Sequence, residues 1–168
     1  MFADKHLVMS AQSNCNVTDF LDGQIDAREK AVIKEVKVLY PFEKLLTVPG
    51  IGNILGMTIM LESGDMNRFQ EVSNYSSYCR CVSSKKVSNG KKKGENNKKN
   101  GNKYLAWAYV EAANFMRRFC PQARSWHQRK VSKTNQIVAT KALSNKIARA
   151  CYFIIKDQTD FDPEMLFE

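Results

Sequence analysis

A run of nineteen residues near the middle of the chain, KKVSNGKKKGENNKKNGNK from Lys85 to Lys103, limits the fold more than any other feature. It carries eight lysines, one acid (Glu95) and one apolar residue (Val87). No core can pass through it, so the chain must close its core from the segments on either side, with the run inserted between them. Such a segment has no apolar surface to offset the entropy of ordering. It is expected to stay mobile, or to order only on a polyanion, where each lysine that meets a phosphate releases a condensed counterion. Seven of the nine net positive charges of the chain lie here, and nucleic acid is the leading partner. An acidic protein or an anionic membrane also fits a basic patch. The membrane is disfavoured, because no stretch reaches the eighteen or so apolar residues needed to span and no apolar helix face flanks the lysines.

With 168 residues, 43% of them hydrophobic, the chain can bury one core, and the expectation is a single domain with appendages. The five cysteines, Cys15, Cys79, Cys81, Cys120 and Cys151, are odd in number, scattered and without a C-x-x-C pair, which points to a reduced cytosolic setting. Only His6 and His127 could add imidazole ligands, so a structural zinc site is not expected. The first residues, MFADKHLVMSAQSNCN, lack the pattern of a secretory signal and read as a loose tail over 1–16.

Apolar residues at Val17, Leu21, Ile25, Val32, Val36 and Leu39, with Arg28 in the remaining position, predict an amphipathic linking helix over 17–40. Packing within the chain and a coiled-coil seam both fit it. Pro41 ends it. Two short helical stretches then flank VPGIG in EKLLTVPGIGNILGMTIMLESGD, the pattern of a helix-hairpin-helix. Pro49 fixes one torsion, while Gly50 and Gly52 allow conformations and approaches that a Cβ would block. In such a motif the turn and the start of the following helix point backbone N–H groups at a DNA phosphate, so Pro49, Gly50, Ile51 and Gly52 are candidate phosphate contacts. A tight helical turn that only packs is the alternative.

A turn at Asp65 to Phe69 leads into a short helix around Gln70 to Cys81, with Tyr75, Tyr78 and Val82 apolar. Beyond the lysine run, Leu105, Ala108, Tyr109, Ala112, Phe115, Met116 and Phe119 form one face of a helix over Tyr104 to Phe119, read as core and broken by Pro121. A short segment, QARSWHQRK, separates it from a last helix, Ile137 to Lys156, with Ala139, Leu143, Ile147, Ala150, Cys151 and Ile154 inward. No strand and no internal repeat are read. The expected fold is all-α, a domain over 41–157 with an inserted basic loop and a tail over 158–168.

Three stretches, LLTVPGIGNILGMTIMLESGDMNRF, YCRCVSSKKVSNGKKKG and KNGNKYLAWAYVEAA, taken in order and spacing, resemble the C-terminal domain of transposases of the insertion-sequence family numbered one hundred and ten. Those are the bridge-RNA-guided serine recombinases, grouped with the families numbered one hundred and sixteen and nine hundred and two. The likeness covers roughly Asp19 to Asp162. It implies DNA transposition by a split active site, with four metal-binding carboxylates (DEDD) in an N-terminal half and a serine nucleophile in the C-terminal half. The position that matches the nucleophile is Ser88 in VSNGK, with Ser83 and Ser84 as alternatives. A serine oxygen attacking a phosphodiester forms a phosphoserine link and frees a hydroxyl, keeping bond energy for strand exchange. Nearby lysines would neutralise the developing charge.

Without the resemblance, Ser88 is one of twelve serines in the chain and a loop residue by default. Arg80 stands where many relatives have glycine, which leaves open whether it touches DNA or caps a helix. The candidate nucleic-acid contacts are Arg80, Lys85, Lys86, Lys91, Lys92, Lys93, Lys98, Lys99 and Lys103, together with the VPGIG turn.

No DEDD segment is found, and Asp160, Asp162 and Glu164 do not form a calcium loop, so no cofactor is expected in this chain. Magnesium is expected only with a complementary DEDD domain, and the chain reads as truncated and inactive alone. The implied partners are DNA, a guide RNA, and either a second copy or a chain supplying the carboxylates. The implied setting is the bacterial cytoplasm, at the nucleoid. The alternative function is a non-catalytic nucleic-acid-binding remnant or repressor of a mobile element.

Overall fold

The computed structural model describes residues 4–36, 40–82, 85–95 and 100–167. The chain divides into two compact units, 1–38 and 39–168.

The first unit is one helix, α1 (Lys5–Val36). It begins twelve residues before the start expected at Val17, so most of the stretch read as a loose tail is helical. Asp4 supplies the start: its Oδ1 accepts from the His6 N–H (2.8 Å), and its carbonyl accepts from the Val8 N–H (3.1 Å). No proline or glycine interrupts the chain before Gly23. The apolar positions Val17, Leu21, Ile25 and Val32 are exposed.

The second unit is all-α around a central helix. Its helices are α2 (Tyr40–Leu45), α3 (Asn53–Ser63), α4 (Val72–Tyr78), α5 (Lys103–Phe119), α6 (Pro121–Lys133), α7 (Gln136–Asp157) and α8 (Pro163–Phe167), with a 3₁₀ turn at Met66–Arg68. α7 packs against α2, α4, α5 and α6, while α3 packs on α5. The spacing of Ala139, Leu143, Ile147, Cys151 and Ile154 turns one face of α7 fully inward, as expected, whereas Ala150 is half-buried at its edge.

Three tyrosines stand at the centre. The hydroxyls of Ser63 and Tyr75 lie 2.8 Å apart, those of Tyr75 and Tyr109 2.6 Å apart, and the Tyr152 hydroxyl donates to the Phe69 carbonyl at 3.0 Å. Burial raises the pKa of Tyr75 and Tyr109 well above the ordinary phenol value, so both stay neutral and serve as donors as well as acceptors.

Four expectations change. The basic run is not without strands: β1 (Lys85–Ser88) and β2 (Lys91–Glu95) pair antiparallel, Lys85 opposite Glu95 and Ser88 opposite Lys91, with a bulge after Lys86. The reason is the Asn89-Gly90 turn, whose residues sit at φ +53° and +71°. Positive φ at both central positions matches the right-handed twist of a two-residue hairpin. QARSWHQRK belongs to a full helix, α6, because Pro121 ends α5 yet occupies the first position of the next helix, where its missing N–H costs nothing. The tail over 158–168 contains α8 and is tied down by the Lys44–Asp160 ion pair at 2.9 Å. Finally, Phe115 and Phe119 are 38% and 68% exposed, and Val82 is exposed as well. The first two lie at the edge and the end of the α5 stripe, where no neighbour covers them fully.

Candidate nucleic-acid interface

The basic insertion stands on a hydrogen-bonded neck. α4 ends at Tyr78, and two residues on, Arg80 takes a left-handed conformation at φ +55°. That region favours glycine, and Arg80 enters it with a full side chain. The Arg80 guanidinium folds across the neck, its Nε and Nη2 donating to the Gly101 carbonyl at 3.0 and 2.7 Å. Gly101 sits at φ +96°, and a Cβ there would collide with the Tyr78 carbonyl.

Asn102 completes the closure. Its N–H donates to the Tyr78 carbonyl (2.7 Å), and its Oδ1 caps α5 by accepting from the N–H groups of Tyr104 (2.8 Å) and Leu105 (3.1 Å). Its Nδ2 donates to Glu62 at 2.6 Å, which ties the neck to the end of α3. Hydrogen bonds from Asn102, and then from Arg68, hold the Tyr78 phenol below its ordinary pKa. The two ends of the insertion, at Tyr78 to Arg80 and at Gly101 to Asn102, are therefore hydrogen-bonded to each other.

Ser88 is the last residue of β1, beside the turn, and is exposed together with Asn89, Gly90, Lys91 and Lys93. Lys103 is exposed in the first turn of α5, its ammonium 4.8 Å from the centre of the Tyr104 ring. For Lys85, Lys86 and Lys92 only the backbone, in β1 and β2, is described. Ser83, Ser84, Lys98 and Lys99 lie outside the described residues.

The VPGIG turn separates into packing and exposed parts. Gly50, at φ +95°, lets the turn press against α5: a Cβ would lie 2.6 Å from the Met116 nitrogen and 2.9 Å from the Ala112 oxygen. Ile51 is buried, and its N–H is taken by the Val48 carbonyl at 3.0 Å. Pro49 is half-buried. Gly52 faces solvent at the N-cap of α3, with open space where a Cβ would point and no side-chain cap on the helix. The first N–H groups of α3 have no partner within the helix. Solvent-facing backbone of the turn is thus concentrated at Gly52 and Asn53, whereas Gly50 and Ile51 serve the core.

Sequence reasoning passed over Asn102, Gly101 and the Asn89-Gly90 turn. The signals were present, an Asn immediately before an apolar-periodic helix and an Asn-Gly dipeptide, but the density of lysines masked both. Among the described residues no three His, Cys, Asp or Glu side chains come together as metal ligands, and no helix is long and apolar enough to cross a membrane.

A helical domain that pins a lysine-rich hairpin between two of its helices is the class of protein described so far. Comparison with known sequences gives its family: the chain belongs to the IS116/IS110/IS902 transposase family, whose model matches residues 42–128. A protein of Pseudomonas aeruginosa strain PAO1, named "Probable family 20 transposase", is 26% identical over 147 residues. The match takes in 85% of this chain and 44% of that protein, so the chain spans less than half the length of this curated relative.

Proposed function

We propose that this domain takes part in DNA transposition by gripping the DNA backbone with its lysine hairpin, with Ser88 as the nucleophile. The observation that carries the reading is the exposed Ser88 beside the turn of a lysine-rich hairpin inserted between Arg80 and Gly101, which are hydrogen-bonded to each other. Pairing of β1 with β2 holds Ser88 opposite Lys91, so the hydroxyl and a cation are brought together before any substrate arrives.

The Ser88 oxygen attacks phosphorus and forms an O–P bond. The bond from phosphorus to one sugar oxygen breaks, that oxygen takes up a proton, and the serine proton passes to a base. Lys91 and Lys93 are exposed beside the turn and would offset the charge that builds on the phosphoryl oxygens. The α3 start at Gly52, in a helix-hairpin-helix-like turn, offers backbone N–H groups to a neighbouring phosphate, a contact blind to sequence. The described carboxylates form no cage, so magnesium would be held by a DEDD domain supplied with the chain. The exposed seam of α1 suits pairing with a second copy or with the chain that brings those carboxylates. A guide RNA would supply the sequence choice that lysines lack.

The test mixes the chain with a DEDD-bearing domain and duplex DNA and looks for a protein–DNA adduct stable to denaturant. The adduct is expected with the natural chain and lost in Ser88→Ala, with DNA affinity kept within about twofold. An adduct that survives in Ser88→Ala removes Ser88 from the chemistry. DNA binding with no adduct under any condition supports the non-catalytic remnant or repressor instead.

A further inference from the structure

A second cationic surface lies away from the lysine run, where α5 meets α6. A cavity of about 580 Å³ is lined by Arg117, Arg118, Arg124, His127, Gln128 and Gln136, and by no carboxylate among the described residues. Arg124 is fixed in place, its Nε and Nη2 donating to the last carbonyls of α5 at Arg117 (3.1 Å) and Arg118 (2.9 Å). Arg118 stacks over the Phe115 ring at 5.4 Å, and the Arg117 Nη2 donates to the neutral Asn114 Oδ1 at 3.3 Å.

Cations in the last turn of a helix are favourable in themselves. Three guanidiniums around one cavity without a counter-acid are more than that role requires. His127 lines the same cavity, and burial first, with the charge of Arg117 second, holds its imidazole below the ordinary pKa.

The cavity continues toward Arg80, at the neck of the insertion. A second one, of about 450 Å³, is lined by Arg80, Asn114, Gln136, Ile137, Thr140 and Lys141, again without a carboxylate among the described residues. Gln136 lines both. The Arg117–Asn114 and His127–Thr140 hydrogen bonds each join a residue of one to a residue of the other. Gln136 also opens α7, which has no acid in its first turn, so the positive end of a 22-residue helix faces the junction.

We infer that this groove, from Arg80 past Lys141 and Gln136 to Arg117 and Arg118, is a second phosphodiester-binding track that carries DNA onward from the lysine hairpin. The inference rests on the DNA-binding reading proposed above. Arginine suits the role because its planar fork can meet two phosphate oxygens at once. A track of fixed arginines on packed helices would set the direction of the DNA, while the hairpin holds the strand at Ser88.

The experiment labels the full chain uniformly with ¹⁵N and follows the side-chain Nε–H signals of Arg117 and Arg118, together with the backbone amides of Lys91 and Lys93. The chain is titrated with a twelve-base-pair DNA duplex and, separately, with polyglutamate. Both arginine signals are expected to shift with DNA and to stay put with polyglutamate at equal charge. In parallel, R117Q/R118Q should lower the log–log salt slope of DNA binding by about 1.8, two phosphates' worth. Arginine signals that stay still while the hairpin amides move would overturn the track and leave hairpin binding intact. Equal shifts with polyglutamate would overturn the nucleic-acid assignment, and no shift anywhere would overturn both readings.

Discussion

Two glycines two positions apart in VPGIGN serve opposite purposes, and single substitutions separate them. Gly50 combines φ +95° with backbone atoms of α5 less than 3 Å from where a Cβ would sit. Gly50→Ala is therefore expected to destabilise the domain by at least about 2 kcal/mol, read as a lower urea midpoint. Gly52, at φ −95° with open space around it, should tolerate alanine at a cost of no more than about 1 kcal/mol. Of the two, only the Gly50 change reports on packing against α5. The cysteines differ in the same residue-level way. Burial pushes the thiols of Cys81 up to about 11 and of Cys151 up to about 12, Cys79 is also raised by burial, and Cys120 is buried, leaving Cys15 exposed. A thiol reagent should label one site in the native chain and five after unfolding. His127 adds a pH effect. Its folded pKa lies below the ordinary imidazole value because burial, and then Arg117, oppose the charged form. The unfolded chain thus takes up the proton first, and stability falls as pH drops through about 6.5 until the lower folded pKa is reached. His127→Gln should flatten that fall between about pH 7 and 5.5 in paired denaturation curves.

At the scale of elements, Asn102 joins three of them: it caps α5, bonds Glu62 of α3 and receives the chain returning from the hairpin. Asn102→Ala should cost about 1–2 kcal/mol and loosen the neck and the start of α5, visible as faster amide exchange at Leu105. Elements that bury a continuous stripe were legible in the sequence. Leu143, Ile147, Cys151 and Ile154 mark the inward face of α7 because every turn contributes one apolar residue to the same side. Periodicity gives a direction but not the extent of the cover, which is why Phe115 and Phe119 fit the α5 stripe and still meet solvent. The hairpin was illegible for a different reason. Its strands have no alternating apolar face, since lysine and glycine fill β2, so only the two-residue turn carried the signal. The neck was hidden because Arg80, Gly101 and Asn102 meet through tertiary contacts across twenty residues that no local pattern encodes.

For the whole molecule, the division of labour follows the charge. The helices close an uncharged core around Tyr75, Tyr109 and Tyr152, and the strongest cationic segment is inserted outside that core through a short hydrogen-bonded neck. Family membership was legible from three ordered stretches, and the family model covers residues 42–128, which take in the VPGIG turn, the hairpin and most of α5 and α6. The central claim is that this external hairpin binds a sugar-phosphate backbone. Its most direct test is the salt dependence of duplex DNA binding by the intact chain, compared with a variant in which Lys91, Lys92 and Lys93 are glutamine. About seven engaged lysines predict a log–log slope near −6, falling by about 2.7 in the variant. A flat response in the natural chain, or an unchanged slope after the three charges are removed, would contradict it.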